Sequence, residues 1–256
     1  MSDIQALLFD IGNTRLKWGY WSDGRISKTG DLTHDQIHEN GFAALTSRLP
    51  RKVTHALACN VAGTGIATKL SGVIGLHCDT DLRFARCDKS AYGVTTSYKQ
   101  PRRLGVDRWV AMIGAWNEFR SALCIVDAGT AITIDVIDRS GQHLGGQIIP
   151  GIHLMGESLR SKTSDIAAAT KKSRDPGDRL GVFGKNTDDA IAYGALTAVC
   201  GAIERSAKRI RSAGMRPKIV LTGGDASRIL KQLNSNAIHR PHLVLQGLAT
   251  MLQSEK

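Results

Sequence analysis

Two short segments combine an acid, a glycine and a hydroxyl residue directly after a run of apolar residues. The first is Asp10-Ile-Gly-Asn-Thr14 and the second is Asp127-Ala-Gly-Thr130. Glycine lets backbone N–H groups approach an anion closely, and a carboxylate can hold the cation that accompanies a phosphate. One copy alone is explained by a plain hairpin turn, since Asp and Gly are ordinary turn residues. Two copies, 117 positions apart (127 − 10), favour a ligand held in a cleft between two similar halves.

A third candidate is Gly105-Val-Asp-Arg108, which precedes apolar residues spaced as on one face of a helix. This spacing places Asp107 and Arg108 in the first turn of that helix. The helix dipole stabilises an aspartate there, which explains Asp107 without any function. The alternative is that Asp107 is a general base and Arg108 binds an anionic substrate. The residues alone leave both explanations open.

Three further segments have ordinary structural explanations beside functional ones. The segment Gly145-Gly-Gln-Ile-Ile-Pro-Gly151 predicts a glycine-rich loop that interrupts regular structure. This loop either lines a substrate pocket or, more simply, connects a strand to a helix. Thr187 precedes two acids and predicts the N-cap of a helix. Thr222-Gly-Gly-Asp225 ends an apolar strand with two glycines ahead of a helix, an arrangement suited to a nucleotide.

The elements that must position these residues follow the same order in both halves. A three-strand meander is predicted over 4–30, and a second one over 124–149. Helices are predicted over about 35–48, 63–71, 187–212, 226–233 and 245–252, and strands over 53–61 and 217–222. Residues 75–99 follow no regular pattern, and 162–183 predict an extended, polar surface segment. The chain is therefore expected to be α/β with mixed sheets.

Composition sets limits on partners and compartment. The 256 residues are 42% hydrophobic and 22% charged, which is typical of a globular protein, with no apolar run long enough to cross a membrane. Five scattered cysteines without a C-x-x-C pair argue against a disulfide framework and fit a reducing cytoplasm. The net charge of +11 raises nucleic acid as a partner, but stacking aromatics are not interleaved with the basic residues, so nucleic acid is not expected.

Six motifs in one order carry a family resemblance. They are Asp10-Ile-Gly-Asn-Thr14, Gly105-Val-Asp-Arg108, Asp127-Ala-Gly-Thr130, the segment 145–151, Asn186-Thr187 with Gly194, and Thr222-Gly-Gly-Asp225. Together they resemble the type III pantothenate kinases, of the superfamily of actin, Hsp70 and the sugar kinases. The resemblance implies two ribonuclease-H-like domains, at 1–118 and 119–256, with ATP in a central cleft. It also implies a homodimer whose interface helps to form the pantothenate pocket.

The resemblance implies a role for each matched residue in the ATP-dependent phosphorylation of pantothenate to 4′-phosphopantothenate, the first step of coenzyme A biosynthesis. Asp107 is the expected general base. Asp127 is expected to hold a monovalent cation, K⁺ or NH₄⁺, while Mg²⁺ accompanies ATP. The residues expected to bind ATP are Asp10, Ile11, Gly12, Asn13, Thr14, Arg15, Leu16, Lys17 and Thr130. Those expected to bind pantothenate are Tyr98, Gly105, Val106, Asp107, Arg108 and Thr187.

Two other functions stay open at this point. One is a different small-molecule kinase on the same fold, and the other is a non-enzymatic regulator that binds DNA, which the +11 charge would support. The acids Asp10, Asp107 and Asp127 argue against the regulator, because a DNA-binding protein has no use for all three. We expect a cytoplasmic enzyme.

Overall fold

The computed structural model describes residues 4–162 and 183–254. The polar segment predicted over 162–183 therefore lies, apart from its two ends, outside the described residues. The chain forms two compact units: unit 1 lies within Met1–Arg120, Gly141–Gly145 and His242–Lys256, and unit 2 lies within Ser121–Ser140 and Gly146–Pro241. The predicted domain boundary after residue 118 stays a prediction.

Unit 1 contains a five-stranded mixed sheet. Its strands are β1 (Ala6–Ile11), β2 (Arg15–Ser22), β3 (Arg25–Thr33), β4 (His55–Asn60) and β5 (Leu82–Phe84). Their order is β3-β2-β1-β4-β5, with β1 antiparallel to β2 and parallel to β4. The N-terminal meander predicted from the sequence is confirmed.

The helices of unit 1 are α1 (His34–Asn40), α2 (Ala43–Thr46), α3 (Thr64–Cys78), α4 (Val106–Phe119) and α8 (Leu243–Gln253). Three predictions about the helices and strands of this unit need correction. The single helix over 35–48 was wrong, because Gly41 adopts a φ of +65° and ends α1. The helix over 63–71 is longer than predicted and ends where Asp79 takes a left-handed conformation. The segment 75–99 was also misjudged, since it holds β5 and the short pair β6 (Ser90–Ala91) and β7 (Val94–Thr95).

Unit 2 repeats the strand order of unit 1. The second sheet runs β10-β9-β8-β11-β12, formed by β8 (Leu123–Ala128), β9 (Ala131–Ile137), β10 (His143–Pro150), β11 (Lys218–Thr222) and β12 (Ala237–His239). Strand β8 is antiparallel to β9 and parallel to β11. The accompanying helices are α5 (Ile152–Lys162), α6 (Thr187–Ser212) and α7 (Ala226–Leu230). The predicted α/β class with two mixed sheets is confirmed.

Two predictions about unit 2 were wrong in detail. Glycines 145 and 146 do not break the chain, because β10 continues through them to Pro150 and only Gly151 separates it from α5. Thr187 is not the helix cap. Asn186 holds that position, and its side chain accepts a hydrogen bond from the backbone N–H of Asp189 at 2.9 Å.

Each unit has its own apolar core. In unit 1 the core includes Leu7, Phe9, Leu16, Leu70 and Ile74, and in unit 2 it includes Val126, Ile134, Val199, Ile203 and Leu221. Within the described ranges, no helix is both long and apolar enough to span a membrane.

A close helix crossing fixes α4 within unit 1. A Cβ atom at Gly114 would lie 2.7 Å from the carbonyl oxygen of Leu243, and one at Gly247 would lie 2.0 Å from that of Val110. Both glycines are therefore needed for α4 and α8 to approach this closely. The crossing holds the helix whose first turn carries Asp107 and Arg108.

Candidate functional site

Asp10 occupies the second-last position of β1, in the middle of the sheet of unit 1. Its cross-strand partners are Lys17 on β2 and Cys59 on β4. The Lys17 Nζ atom lies 3.8 Å from Asp10 Oδ2, and the residue Asp10 is only 8% exposed. The carboxylate predicted to face a phosphate thus has an ammonium group beside it.

The loop after Asp10 presents backbone rather than apolar side chains. The N–H of Gly12 donates to the carbonyl oxygen of Arg15 at 3.0 Å and closes a tight turn in which Asn13 and Thr14 are exposed. Arg15 itself forms an ion pair with Asp31 on β3. Two more predicted ATP residues of this loop, Ile11 and Leu16, have side chains that are fully buried in the core. Any contact they make with a ligand must use their backbone groups.

Asp127 holds the equivalent position in unit 2, second-last in β8. It lies within the strand, whereas the sequence placed it in the turn. Its cross-strand partners are Thr133 on β9 and Thr222 on β11. Residues paired across neighbouring strands share one face of a sheet. A row of carboxylate and hydroxyl side chains therefore crosses the end of this sheet, where unit 1 has a lysine, an aspartate and a cysteine.

Two glycines from distant parts of the chain meet the hairpin after Asp127. A Cβ atom at Gly151 would lie 2.5 Å from the carbonyl oxygens of both Gly129 and Thr130. Gly223 has a φ of +92°, and its Cβ atom would lie 2.5 Å from the backbone of Ala128. Side chains at these two positions would displace the turn that carries Thr130. From the sequence alone, each glycine was predicted to have only a local role, and no local pattern indicated that both converge on this turn.

Asp107 lies in the first turn of α4, as predicted. Its Oδ1 atom accepts a hydrogen bond from the backbone N–H of Arg108 at 2.8 Å, and its side chain is partly exposed. The residue before the helix is Gly105, where a Cβ atom would lie 2.6 Å from that same oxygen. The glycine therefore leaves room for the carboxylate in this orientation. The helix N-terminus also stabilises its negative charge.

Arg108 is nearly buried and is held against Tyr98. Its Nη1 atom donates to the Tyr98 hydroxyl at 3.1 Å, and its guanidinium carbon lies 5.8 Å from the centre of the Tyr98 ring. The residue is 6% exposed. A guanidinium in this setting is oriented by an aromatic face, and a guanidinium is the side-chain group best suited to bind a carboxylate. Unit 1 thus brings together Tyr98, Gly105, Asp107 and Arg108 of the predicted substrate residues.

Comparison with known proteins decides the family. The family model described as type III pantothenate kinase matches residues 6–209. A type III pantothenate kinase from Nitrosococcus oceani is 34% identical over 253 residues, covering 95% of this chain and 92% of the relative. The chain belongs to the type III pantothenate kinase family. It is accordingly a phosphotransferase that acts on the alcohol group of pantothenate, with ATP and a divalent metal ion.

Solved structures support the fold assignment. A structure from Campylobacter jejuni, described as a Baf family transcriptional activator, superposes with a TM-score of 0.61 at 23% identity over 97% of this chain and 98% of the other. One from Sinorhizobium meliloti, described as a 2-dehydro-3-deoxygalactonokinase, gives 0.58 at 12% identity over 97% and 96%. At these identities the likeness shows only that this pantothenate kinase family member shares the fold of these two proteins, one of them described as a sugar acid kinase.

Burial favours the protonated form of several thiols of this pantothenate kinase family member. All five cysteines are free and buried. Burial raises the pKa of Cys87 to about 12, and the nearby negative charge of Asp107 adds to the effect. Burial raises the pKa of Cys124 to about 12 and that of Cys200 to about 11. Neutral thiols are poor nucleophiles and poor metal ligands, so these residues serve as small core side chains.

Proposed function

We propose that the chain transfers the γ-phosphoryl group of ATP to the primary hydroxyl of pantothenate with Asp107 as the general base. The observation that carries this assignment is the cradle at the start of α4. Gly105 leaves space for the Asp107 carboxylate, and the Arg108 N–H holds one of its oxygens at 2.8 Å. A base whose orientation is fixed in advance needs no rearrangement when the substrate binds. The product is 4′-phosphopantothenate, which enters coenzyme A biosynthesis.

The proposed reaction moves one proton and one phosphoryl group. The pantothenate hydroxyl oxygen forms a bond to the γ-phosphorus while the bond from that phosphorus to the β,γ-bridging oxygen breaks and leaves ADP. Asp107 accepts the hydroxyl proton on one of its two carboxylate oxygens. The Arg108 N–H keeps the carboxylate oriented for this step. A Mg²⁺ ion that accompanies the triphosphate would supply positive charge to offset the charge on the phosphoryl oxygens.

Arg108 and Tyr98 are proposed to bind the carboxylate of pantothenate. The guanidinium is always charged and can offer two parallel donors to a carboxylate. Its hydrogen bond to the Tyr98 hydroxyl uses Nη1 and fixes the plane of the group. Val106 and Gly105 would line the same pocket, and Thr187 is proposed as a further contact. Because Asn186 caps α6, capping does not account for Thr187.

The ATP phosphates are assigned to the loop from Asp10 to Lys17, with Thr130 as a further contact. The turn closed by Gly12 offers backbone N–H groups, and Lys17 offers an ammonium group 3.8 Å from the Asp10 carboxylate. A cation beside the carboxylate lowers the repulsion between Asp10 and a polyphosphate. This arrangement suits a triphosphate that arrives with its own divalent ion.

Asp127 is proposed to hold a monovalent cation, K⁺ or NH₄⁺. The residues fit such an ion, since Asp127 lies between Thr133 and Thr222, and all three side chains offer oxygen atoms. Hard cations prefer oxygen ligands. Bound there, the cation would add positive charge at this end of the unit 2 sheet. We expect Asp127→Asn to lose any stimulation by K⁺ and to keep the rate that the wild-type protein has without K⁺.

We further propose that the chain forms a homodimer through an apolar surface of unit 2. Three large apolar side chains are exposed there: Ile148 by 62%, Leu154 by 41% and Leu159 by 42%. Exposed apolar side chains on an edge strand and the following helix are typical of a surface covered by a second copy. Ile148→Glu should yield monomers in size-exclusion chromatography with light scattering. Leu76→Glu, at a single residue 92% exposed on α3, is the control that leaves the mass unchanged.

The decisive experiment measures ADP release with pantothenate as acceptor, with and without K⁺. Asp107→Asn should lower kcat by about 10²–10⁴-fold at unchanged fold stability. A variant with the wild-type kcat would remove Asp107 as the base. A panel of sugars and hydroxy acids in the same assay tests the substrate, and phosphorylation of another acceptor in preference to pantothenate would overturn the proposal.

A further inference from the structure

His143 is a fully buried histidine beside the substrate residues of unit 1. It begins β10, and its ring is stacked on the ring of Tyr98, with 6.0 Å between the ring centres and 18° between their planes. Its Nδ1 atom lies 3.4 Å from the hydroxyl oxygen of Thr96, which is also fully buried. A buried imidazole with this contact has one defined orientation, because both its face and its Nδ1 edge are fixed.

The same threonine links His143 to the backbone of Tyr98. The Thr96 hydroxyl oxygen accepts a hydrogen bond from the Tyr98 N–H at 3.2 Å. Lys89 holds the segment from outside, since its Nζ atom donates to the carbonyl oxygens of Thr96 at 2.7 Å and Tyr98 at 3.3 Å. Both the ring and the main chain of Tyr98 are thereby fixed in place.

The segment that carries His143 is pressed against the segment that carries Tyr98. The N–H of Thr95 donates to the carbonyl oxygen of Gly141 at 2.9 Å, and the Gln142 side chain donates to the Thr95 carbonyl oxygen at 3.2 Å. A Cβ atom at Gly141 would lie 2.0 Å from the carbonyl oxygen of Gly93, and Gly141 has a φ of +86°. Only glycine allows the two backbones to approach in this way.

These contacts form a chain that ends at the predicted carboxylate-binding group. His143 stacks on Tyr98, and the Tyr98 hydroxyl accepts from Arg108 Nη1 at 3.1 Å. An arginine has many side-chain conformations, so its fork reaches a carboxylate only if something holds its plane. Tyr98 provides that hold through its hydroxyl and its ring face. The position of Tyr98 therefore contributes to where the guanidinium points.

We propose that His143 is a positioning residue for pantothenate: its ring fixes Tyr98, and Tyr98 in turn orients Arg108. This inference rests on the proposed function, because it gives Arg108 the carboxylate of pantothenate. His143 does not touch the substrate or the reacting atoms. Its contribution is to make the substrate site rigid before pantothenate binds, which reduces the entropy lost on binding.

The test compares two variants of His143 in the full-length protein. His143→Ala removes the stacked ring and should raise KM for pantothenate by roughly three- to tenfold, the range expected for an aromatic pair. KM for ATP should stay within about twofold, and kcat should fall by less than KM rises. His143→Phe keeps a flat ring against Tyr98 and should restore most of the loss. His77→Ala on α3, a partly buried histidine that bonds the Leu49 carbonyl oxygen, is the matched control with unchanged KM.

A double-mutant cycle separates positioning from general destabilisation. If His143 acts through Tyr98, then His143→Ala adds nothing to KM in a Tyr98→Ala background, because the effects are coupled. An equal effect of His143→Ala in both backgrounds would overturn the proposal, as would a loss of kcat and melting temperature at unchanged KM. If His143→Ala does not fold, His143→Leu, which fills the space without a stacking ring, takes its place in the same cycle and gives the same decision. A wild-type protein that neither binds nor phosphorylates pantothenate would instead overturn the proposed function. Calorimetric measurement of pantothenate binding to the wild type and the variants distinguishes the two failures.

Discussion

Gly105 offers the sharpest test of how the catalytic carboxylate is held. In Gly105→Ala the new Cβ atom would lie 2.6 Å from Asp107 Oδ1, whereas ordinary contact begins at 3.4 Å, so the oxygen has to move by about 0.8 Å. The backbone itself tolerates alanine, since φ is −55° and ψ is 128°. The substitution therefore changes the orientation of one carboxylate and little else.

The expected magnitude follows from the bond that is disturbed. Asp107 Oδ1 accepts from the Arg108 N–H at 2.8 Å, and a hydrogen bond to a charged group contributes about 1.5–3 kcal/mol. Losing it should lower kcat/KM by roughly 10- to 150-fold. The helix loses at most about 1 kcal/mol at its N-cap, so the melting temperature should fall by only about 2–4 °C for a chain of this size.

The assay is steady-state pantothenate phosphorylation beside thermal unfolding. Gly72→Ala is the control: it lies in α3 with nothing within 4 Å of its Cβ position, so it should raise the melting temperature slightly and leave kcat/KM unchanged. In an Asp107→Asn background, Gly105→Ala should have little further effect on kcat. A Gly105→Ala protein with wild-type kcat/KM would refute the reasoning, because the carboxylate would then not need the orientation that the glycine permits.

Three further outcomes are expected. Lys17→Met should raise KM for ATP by roughly tenfold and leave KM for pantothenate unchanged, because the ammonium beside Asp10 would be lost. An unchanged KM for ATP, measured by varying the ATP concentration, would contradict this. Gly223→Ala should lower the free energy of unfolding by at least about 2 kcal/mol in urea titration, since its φ is +92° and its Cβ would meet the Ala128 backbone, and a change below about 0.5 kcal/mol would be incompatible with that contact. Burial raises the pKa of Cys87 and Cys124 to about 12, whereas thiols of the unfolded chain ionise near pH 9. The folded protein should therefore resist alkylation at pH 8 and should lose stability between about pH 9 and 12. Rapid labelling of the folded protein, measured by mass spectrometry, would argue against buried thiols.

The local patterns of the sequence predicted the two hairpins and the helix start at Asp107. Their success has a physical reason, because a hairpin and an amphipathic helix are specified by residues that are close in sequence. The same local logic failed where two similar signals compete. Asn186 and Thr187 are both residue types that cap helices well. In the structure the cap is Asn186, and its side-chain oxygen accepts the hydrogen bond of the Asp189 backbone N–H, three residues later.

Contacts between distant segments could not be predicted. Gly151 and Gly223 meet the turn after β8, and α8 returns to pack on α4 through Gly247. Each glycine looks like an ordinary loop or helix residue in the sequence, since the atom that excludes a side chain belongs to another element. A role for His143 could not be predicted for the same reason: its stacking partner Tyr98 lies 45 positions earlier (143 − 98).

The two halves share one hairpin design but differ in the residue facing the acid. Asp10 is second-last in β1 and pairs with Lys17, the third residue of β2. Asp127 is second-last in β8 and pairs with Thr133, the third residue of β9. The acid of unit 1 therefore lies beside a lysine ammonium, whereas the acid of unit 2 faces a hydroxyl side chain at the site proposed for a monovalent cation. A lysine ammonium resembles NH₄⁺, which the family resemblance names as an alternative to K⁺.

Thr133→Lys should therefore replace the monovalent ion. By analogy with the 3.8 Å between Lys17 Nζ and Asp10 Oδ2, the new ammonium would lie within ion-pair distance of Asp127. We expect activity without K⁺ to rise towards the K⁺-saturated rate, and added K⁺ to stimulate by less than about twofold, because the charge is already present. Thr133→Met supplies similar bulk without charge and should keep the K⁺ requirement. A folded Thr133→Lys protein that still depends on K⁺ as strongly as wild type would show that the ion acts elsewhere than at Asp127.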